Sequence, residues 1–138
     1  MLALPESVLN AIERHAQRLH PVECCGLVSR NVEGDLRHIE MCNKANSETF
    51  FEFDPKEQLG VWRDMILQDE ELILIYHSHT HSKPYPSRTD KEYAQAYPGV
   101  YQLIVATDKR FVPSMRCYQI SGEGVEEVLL NLPYRAQY

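Results

Sequence analysis

The residues best suited to chemistry are two histidines separated by one serine, His77 and His79, and an aspartate eleven positions further on, Asp90. In extended backbone, residues i and i+2 point to the same side, so the two imidazoles can converge on one ion. A carboxylate that folds back to them completes a set that leaves a fourth tetrahedral position for water, as catalytic zinc requires. Taken alone, the pattern is also compatible with a surface loop and a coincidental aspartate.

Other candidate ligands and nucleophiles lie near this set. His81 repeats the spacing and could compete for the metal, but we expect the chain to have left the strand there, which favours a role outside the ligand set. The cysteines, Cys24, Cys25, Cys42 and Cys117, include no Cys-x-x-Cys pair, so a thiolate zinc site is not supported. We expect free, buried thiols. The alternative, a nucleophilic Cys24 or Cys25, needs a base within hydrogen-bonding distance.

Two separated motifs make the pattern more specific. His77-Ser78-His79 is followed by seven residues, 80–86, and then by Ser87-Arg88-Thr89-Asp90, while Glu23 lies upstream in Pro21-Val22-Glu23-Cys24-Cys25-Gly26-Leu27. Both segments resemble the JAMM motif (also called MPN+ or JAB) of zinc-dependent isopeptidases, in which the upstream glutamate is often followed by Cys-Gly-Leu. The predicted order of helices and strands fits this family too, so the resemblance covers nearly the whole chain.

The resemblance implies a role for each residue of the motif. His77, His79 and Asp90 would hold one zinc ion per chain, and Glu23 would take a proton from the attacking water and pass it to the leaving amine. Ser87 would donate a hydrogen bond to the oxyanion of the tetrahedral intermediate. Ser87 could instead cap the following helix, and we expect Thr89 to be the cap. Residues that bind the substrate stay unassigned.

The substrate prediction comes from the residue after the second histidine and from the length of the chain. Thr80 stands where many family members have proline, and the sequence has no room for the long insertions of deubiquitinases. The chain therefore resembles the small bacterial branch, which implies hydrolysis after the C-terminal glycine of a ubiquitin-like sulfur carrier ending in Gly-Gly, with release of cysteine. The alternatives are a general isopeptidase acting on lysine conjugates and a non-catalytic scaffold. The protein could act as a homodimer.

The elements that must position these residues can be read from periodicity and turn residues. Residues 5–19 show helical spacing of apolar side chains, and Asp54-Pro55 is a typical start for a second helix to about 68, whose buried face would carry Leu59, Trp62, Met65 and Ile66. A third helix is expected at 89–96. Strands are predicted at 24–29, 36–42, 71–76, 100–107, 114–121 and 125–132. The resemblance adds a JAMM/MPN fold of cytidine-deaminase-like architecture, with a mixed α/β sheet flanked by helices.

The composition supports one folded domain over residues 1–138. Hydrophobic residues make up 43% of the 138-residue chain, which is enough for a substantial core. The formal net charge of −6 argues against a nucleic-acid partner. No apolar run is long enough for a transmembrane helix, and the first residues lack the pattern of a signal peptide, so we expect a cytoplasmic protein.

Overall fold

Residues 2–131 are described by the computed structural model of the protein, and they form a single mixed sheet with helices on both faces. The elements in chain order are α1 (Glu6–Leu19), β1 (Cys25–Arg30), β2 (Leu36–Met41), α2 (Pro55–Leu67), β3 (Glu71–His79), α3 (Arg88–Ala94), β4 (Tyr101–Ala106), β5 (Met115–Ser121) and β6 (Gly124–Val128). Each predicted helix and strand is present. The final residue of the last predicted strand, Leu132, lies outside the described residues.

The six strands are arranged in the order β2-β1-β3-β4-β5-β6. Strands β3 and β4 are parallel, and every other neighbouring pair is antiparallel. The crossover between the parallel strands contains α3, as a parallel connection requires. The predicted mixed sheet flanked by helices is confirmed, and the carboxyl ends of β3 and β4 lie side by side at one edge.

The two faces of the sheet carry separate cores. Helix α1 packs on one face through Leu9, Ile12 and Ala16, against side chains that include Leu74 and Leu103. Helix α2 and the segment 43–53 cover part of the opposite face, and α3 covers the rest. Because side chains alternate along β3, Tyr76 points toward α1, whereas His77 belongs to the face covered by α2 and α3.

The prediction for the buried face of α2 is wrong. Met65 is buried, but Leu59 and Ile66 are 62% and 76% exposed. Phe51 and Phe53, from the segment before the helix, occupy the adjoining face of the sheet together with Met65, and Trp62 packs only partly against them. Because the phenylalanines already cover this part of the sheet, α2 buries fewer of its apolar side chains than predicted.

Tyr76 forms a hydrogen-bonded centre beneath α1. Its hydroxyl lies 2.6 Å from Nδ1 of His15 and 2.7 Å from Nε2 of His38. A Cβ on Gly26 would lie 2.3 Å from the phenol oxygen, so only glycine fits opposite this ring. The phenol thereby joins α1, β1, β2 and β3 on the side of the sheet that faces away from His77.

The cysteines are free thiols, as predicted, but Cys42 is exposed rather than buried. Within residues 2–131, no helix combines the length and apolarity needed to cross a membrane.

Candidate metal centre and catalytic site

Strand β3 is longer than predicted and carries both histidines. It extends through His79 because Ser78 and His79 continue the parallel pairing with Val105 and Ala106 of β4. Both imidazoles are buried on the same face, and their Nε2 atoms lie 3.2 Å apart. The period-two geometry of the strand therefore brings the histidines together as the spacing predicted.

Asp90 reaches the histidines from the first turn of α3. Its Oδ2 lies 3.0 Å from Nε2 of His79 and 3.2 Å from Nε2 of His77. Ser87 caps this helix: its Oγ accepts the Asp90 N–H at 3.1 Å, and its own N–H donates to Oδ2 of Asp90 at 2.9 Å. The expectation that Thr89 would be the cap is wrong, because the reciprocal capping box requires Ser at the cap and Asp three residues later.

The three ligand atoms fit a divalent ion. Zinc bonds to nitrogen and oxygen of about 2.0–2.1 Å put neighbouring tetrahedral ligands ~3.3 Å apart, close to the 3.0–3.2 Å found here. Burial alone would raise the pKa of the Asp90 carboxyl, but His77, His79 and the Ser87 N–H hold it well below its usual range. The carboxylate is therefore charged over the physiological pH range. The group His77–His79–Asp90 can hold a metal ion.

Contacts behind the ligands orient the two rings, and the motif spacing does not predict them. Nδ1 of His79 lies 2.8 Å from the Lys83 carbonyl oxygen, to which it donates, leaving Nε2 free to bind metal. The His77 ring stacks on Phe51 at a centroid distance of 4.7 Å. The two prolines between His79 and Ser87 indicate a loop that could turn back on His79, whereas no sequence pattern links Phe51 to His77.

Glu23 lies just before β1, with its backbone fixed on both sides. Its N–H donates to the Ser47 carbonyl at 2.9 Å, and Nδ2 of Asn43 donates to its carbonyl at 3.0 Å. The side chain is 3% exposed, and Oε1 has no hydrogen-bond partner among residues 2–131. Burial raises the pKa of this carboxyl to about 8, His79 opposes the rise, and Asp90 adds to it. A buried carboxyl without a partner beside a ligand set is suited to proton transfer.

Two more polar residues of the segment between His77 and Asp90 lie outside the ligand group. Ser78 faces away from the ligands and accepts the Cys24 N–H through Oγ at 2.8 Å, which is a structural role. His81 is exposed and lies 3.0 Å from a carboxylate oxygen of Glu48, outside the ligand group. Tyr76 packs on the opposite face of the sheet. Tyr93 of α3 packs against Phe51, the ring that stacks on His77, and Tyr85 is 43% exposed.

The alternative of a cysteine nucleophile has no support in the structure. Burial raises the pKa of Cys24 to about 12, and burial also raises the pKa of Cys25. Cys24 lies in the core beneath α1, and the sulfur of Cys25 contacts the Met41 carbonyl oxygen at 3.8 Å. Both thiols therefore stay protonated near neutral pH, and a nucleophilic thiol must be deprotonated.

Comparison with known proteins identifies the family of this chain. Residues 5–120 match the family described as prokaryotic homologs of the JAB domain. A CysO-cysteine peptidase from Mycobacterium tuberculosis is 39% identical over 134 residues, covering 96% of this chain and 91% of that protein. A desampylase from Haloferax volcanii is 27% identical over 128 residues, covering 89% and 87% of the two chains.

Solved structures show the same fold. A protein from Desulfitobacterium hafniense superposes with a TM-score of 0.77 at 28% identity, covering 96% of this chain and 93% of that one. A JAB1/MPN domain protein from Archaeoglobus fulgidus gives a TM-score of 0.60 at 24% identity, with coverage of 94% and 96%. Since the family match extends over most of the sequence and includes Glu23, both histidines and Asp90, this chain is a member of the family of prokaryotic JAB-domain homologs.

Proposed function

We propose that the protein is a zinc-dependent peptidase that hydrolyses the amide bond after the C-terminal glycine of a ubiquitin-like sulfur-carrier protein and releases cysteine. The observation that carries the chemistry is the convergence of three ligand atoms within 3.0–3.2 Å of one another. The mycobacterial relative, named as a CysO-cysteine peptidase and 39% identical, supports the choice of substrate.

His77, His79 and Asp90 would hold the zinc ion, one per chain. Zinc, when bound, supplies a Lewis acid that brings the ionisation of water close to neutral pH. The chain fixes the donors for this ion: the His79 ring is held through Nδ1 by the Lys83 carbonyl oxygen, and Asp90 is held through the Ser87 N–H. Donors fixed in this way need little rearrangement to bind the metal.

Glu23 would move the proton. In the metal-free protein this carboxyl holds its proton near neutral pH, but the positive charge of a bound zinc ion would favour the ionised form. The free Oε1 of Glu23 would then accept a water proton and later return it to the leaving nitrogen. The hydrogen bonds from Asn43 and to Ser47 hold the Glu23 backbone, so the carboxyl does not have to be ordered when substrate arrives.

Ser87 would stabilise charge on the carbonyl oxygen of the substrate. Its Oγ accepts the Asp90 N–H, which leaves the hydroxyl proton free to donate. Capping α3 and donating to the substrate are therefore compatible, because they use different parts of one hydroxyl. One such donor contributes about 10²–10³ in rate in well-studied hydrolases.

The second candidate function is the removal of ubiquitin-like modifiers from lysine side chains. The desampylase relatives favour it, at 27% and 29% identity, but their similarity is lower than that of the mycobacterial peptidase. A non-catalytic scaffold would not need Glu23, Ser87 and the ligand set together. One domain over residues 1–138, a cytoplasmic location and a homodimer stay predictions.

The two enzymatic functions can be separated with matched substrates. The zinc-loaded protein is incubated with CysO–cysteine, the adduct named by the mycobacterial relative, and with the same carrier joined to a lysine side chain. We expect cysteine to be released from the first and the second to be cleaved at least tenfold more slowly. Preferential cleavage of the lysine conjugate would replace this proposal with the isopeptidase function.

A further inference from the structure

The segment that carries the catalytic serine and the aspartate ligand is unusually basic. Between residues 81 and 91, the charged side chains are Lys83, Arg88, Asp90 and Lys91. Asp90 is buried in the ligand group, so the charges that reach solvent between these positions are the three cations, with Lys91 half-buried; the exposed carboxylate of Glu92 follows directly. The whole chain has a formal net charge of −6. We call Lys83, Arg88 and Lys91 the basic rim.

The charges of the basic rim are not neutralised within the protein. The Nζ atoms of Lys83 and Lys91 lie over the Tyr85 ring, 5.4 Å and 5.9 Å from its centroid, and neither has an ion-pair partner among residues 2–131. Arg88 is 94% exposed and reaches Glu92 only at 3.7 Å, a contact of little energetic value. By contrast, the side chains of five other arginines contact carboxylates at 2.5–3.3 Å, namely Arg18, Arg30, Arg37, Arg110 and Arg116.

A groove of mixed lining adjoins the basic rim: besides aromatic and apolar side chains it contains Arg116 and Glu127, which pair with each other. Tyr85, 43% exposed, packs edge-on against Tyr118 at 5.6 Å, and the groove between it and Val112 has a volume of about 340 Å³. The Tyr118 hydroxyl donates to the Pro84 carbonyl oxygen, which ties the loop to strand β5. An exposed aromatic ring, a groove and free cations on an anchored loop are the composition of an interaction surface.

This surface lies beside the reacting centre. The Lys83 carbonyl accepts the hydrogen bond from His79, Arg88 follows Ser87, and Lys91 follows Asp90. A partner that docks on the rim is thereby held next to the ligand group, and its tail has a short path to the site.

We infer that the basic rim and the Tyr85 groove are the docking surface for an acidic face of the ubiquitin-like protein, an inference that rests on the proposed function. Cations beside a cleft that are unpaired, as Lys83 and Lys91 are, or weakly paired, as Arg88 is, attract an oppositely charged partner and raise the rate of productive encounter. The occupant is the folded body of that partner, because Lys83 and Arg88 are exposed at the surface whereas the ligand group that the tail must reach is buried.

The test reverses the charge of the rim. The triple variant Lys83→Glu, Arg88→Glu, Lys91→Glu is compared with Arg14→Glu, Lys56→Glu, Arg63→Glu, three exposed cations on α1 and α2. Each substitution changes the charge by −2, so both triple variants go from −6 to −12. Two substrates are used: CysO–cysteine and a short peptide ending in Gly-Gly-Cys.

We expect the rim variant to lower the ratio of kcat/KM for the carrier to kcat/KM for the peptide at least tenfold in low salt, mainly through KM. The loss should shrink as salt is added, because screening removes long-range attraction. The control variant should leave the ratio within about twofold of the wild type. An unchanged ratio in the rim variant, an equal fall in the control, or an equal loss on the peptide would overturn the inference.

Binding gives a readout that does not need turnover. Labelled CysO–cysteine is titrated into the Glu23→Gln protein with and without the rim substitutions, and we expect Kd to rise at least tenfold when the rim is reversed. If the wild type cleaves neither substrate, the proposed function fails while this titration still decides the docking surface. Equal Kd values for both proteins would refute the docking surface even if the enzyme is active.

Discussion

Replacing Glu23 with glutamine should change stability and activity in opposite directions. Burial raises the pKa of this carboxyl from 4.5 to about 8. In metal-free protein, the unfolded chain ionises Glu23 from about pH 4.5 upward, whereas the folded chain keeps the proton until about pH 8. The folded state binds more protons in this window, so stability falls as the pH rises through it. Glutamine has nearly the same shape and does not ionise, so the Glu23→Gln variant does not lose stability in this way as the pH rises.

The expected gain in the free energy of unfolding follows from the same pKa. One pKa unit corresponds to about 1.4 kcal/mol, so the interval from pH 4.5 to pH 7 sets an upper limit of roughly 3 kcal/mol. Relaxation of the surrounding protein and water that penetrates to the carboxyl reduce this limit. We therefore expect Glu23→Gln to stabilise the metal-free protein by ~1–2 kcal/mol at pH 7. Loss of the proton acceptor should lower the rate of hydrolysis by about 10²–10⁴.

Both effects can be measured on one preparation. Chelator-treated protein is unfolded in urea at pH 4.5 and pH 7, and zinc-loaded protein is assayed on CysO–cysteine. Glu33→Gln, which removes an exposed carboxyl from the turn between β1 and β2, is the matched control. If Glu23→Gln is less stable than the wild type at pH 7, or keeps full activity, our account of this carboxyl is wrong.

Three further predictions concern the Tyr76 centre beneath α1. Gly26→Ala should lower the free energy of urea unfolding by about 3 kcal/mol or more, because its Cβ would lie 2.3 Å from the phenol oxygen; a loss under 1 kcal/mol would contradict this packing. Tyr76→Phe leaves the His15 and His38 nitrogens without their shared partner and should cost roughly 2–4 kcal/mol in the same assay; a neutral effect would contradict the shared hydrogen bonds. Burial lowers the pKa of His15, so the unfolded state binds more protons below about pH 6.5 and stability should fall there. His15→Gln should make that fall shallower, and an identical pH profile would contradict it.

The convergence of the two histidines could be predicted because its geometry is local: residues i and i+2 of a strand share a face in any sheet. Spacing alone left Asp90 open to coincidence, and its place beside the histidines was predicted from the resemblance to the JAMM motif. The C-terminal end of strand β3 was harder to predict than the strand itself. Histidine and serine at the end of β3 do not look like a buried strand until the parallel pairing with β4 is known.

The stacking contact behind His77 joins residues that are far apart in sequence, so no motif spacing predicts it. Phe51 stacks on His77 across 26 positions of sequence, and its aromatic neighbours also took the place that apolar residues of α2 were expected to fill. The mistaken face of α2 and the missed stacking contact therefore have one cause, since both depend on how the segment 43–53 folds over the sheet.

The central claim is tested most directly by the product of a single reaction. CysO–cysteine is incubated with the zinc-loaded wild type and with Asp90→Asn, and the carrier is analysed by intact-protein mass spectrometry together with free cysteine. We predict that the wild type shortens the carrier by one cysteine and releases an equal amount of free cysteine, while Asp90→Asn leaves the adduct intact. An adduct that survives folded, zinc-loaded wild-type protein, or that is cleaved equally by both proteins, would contradict the account.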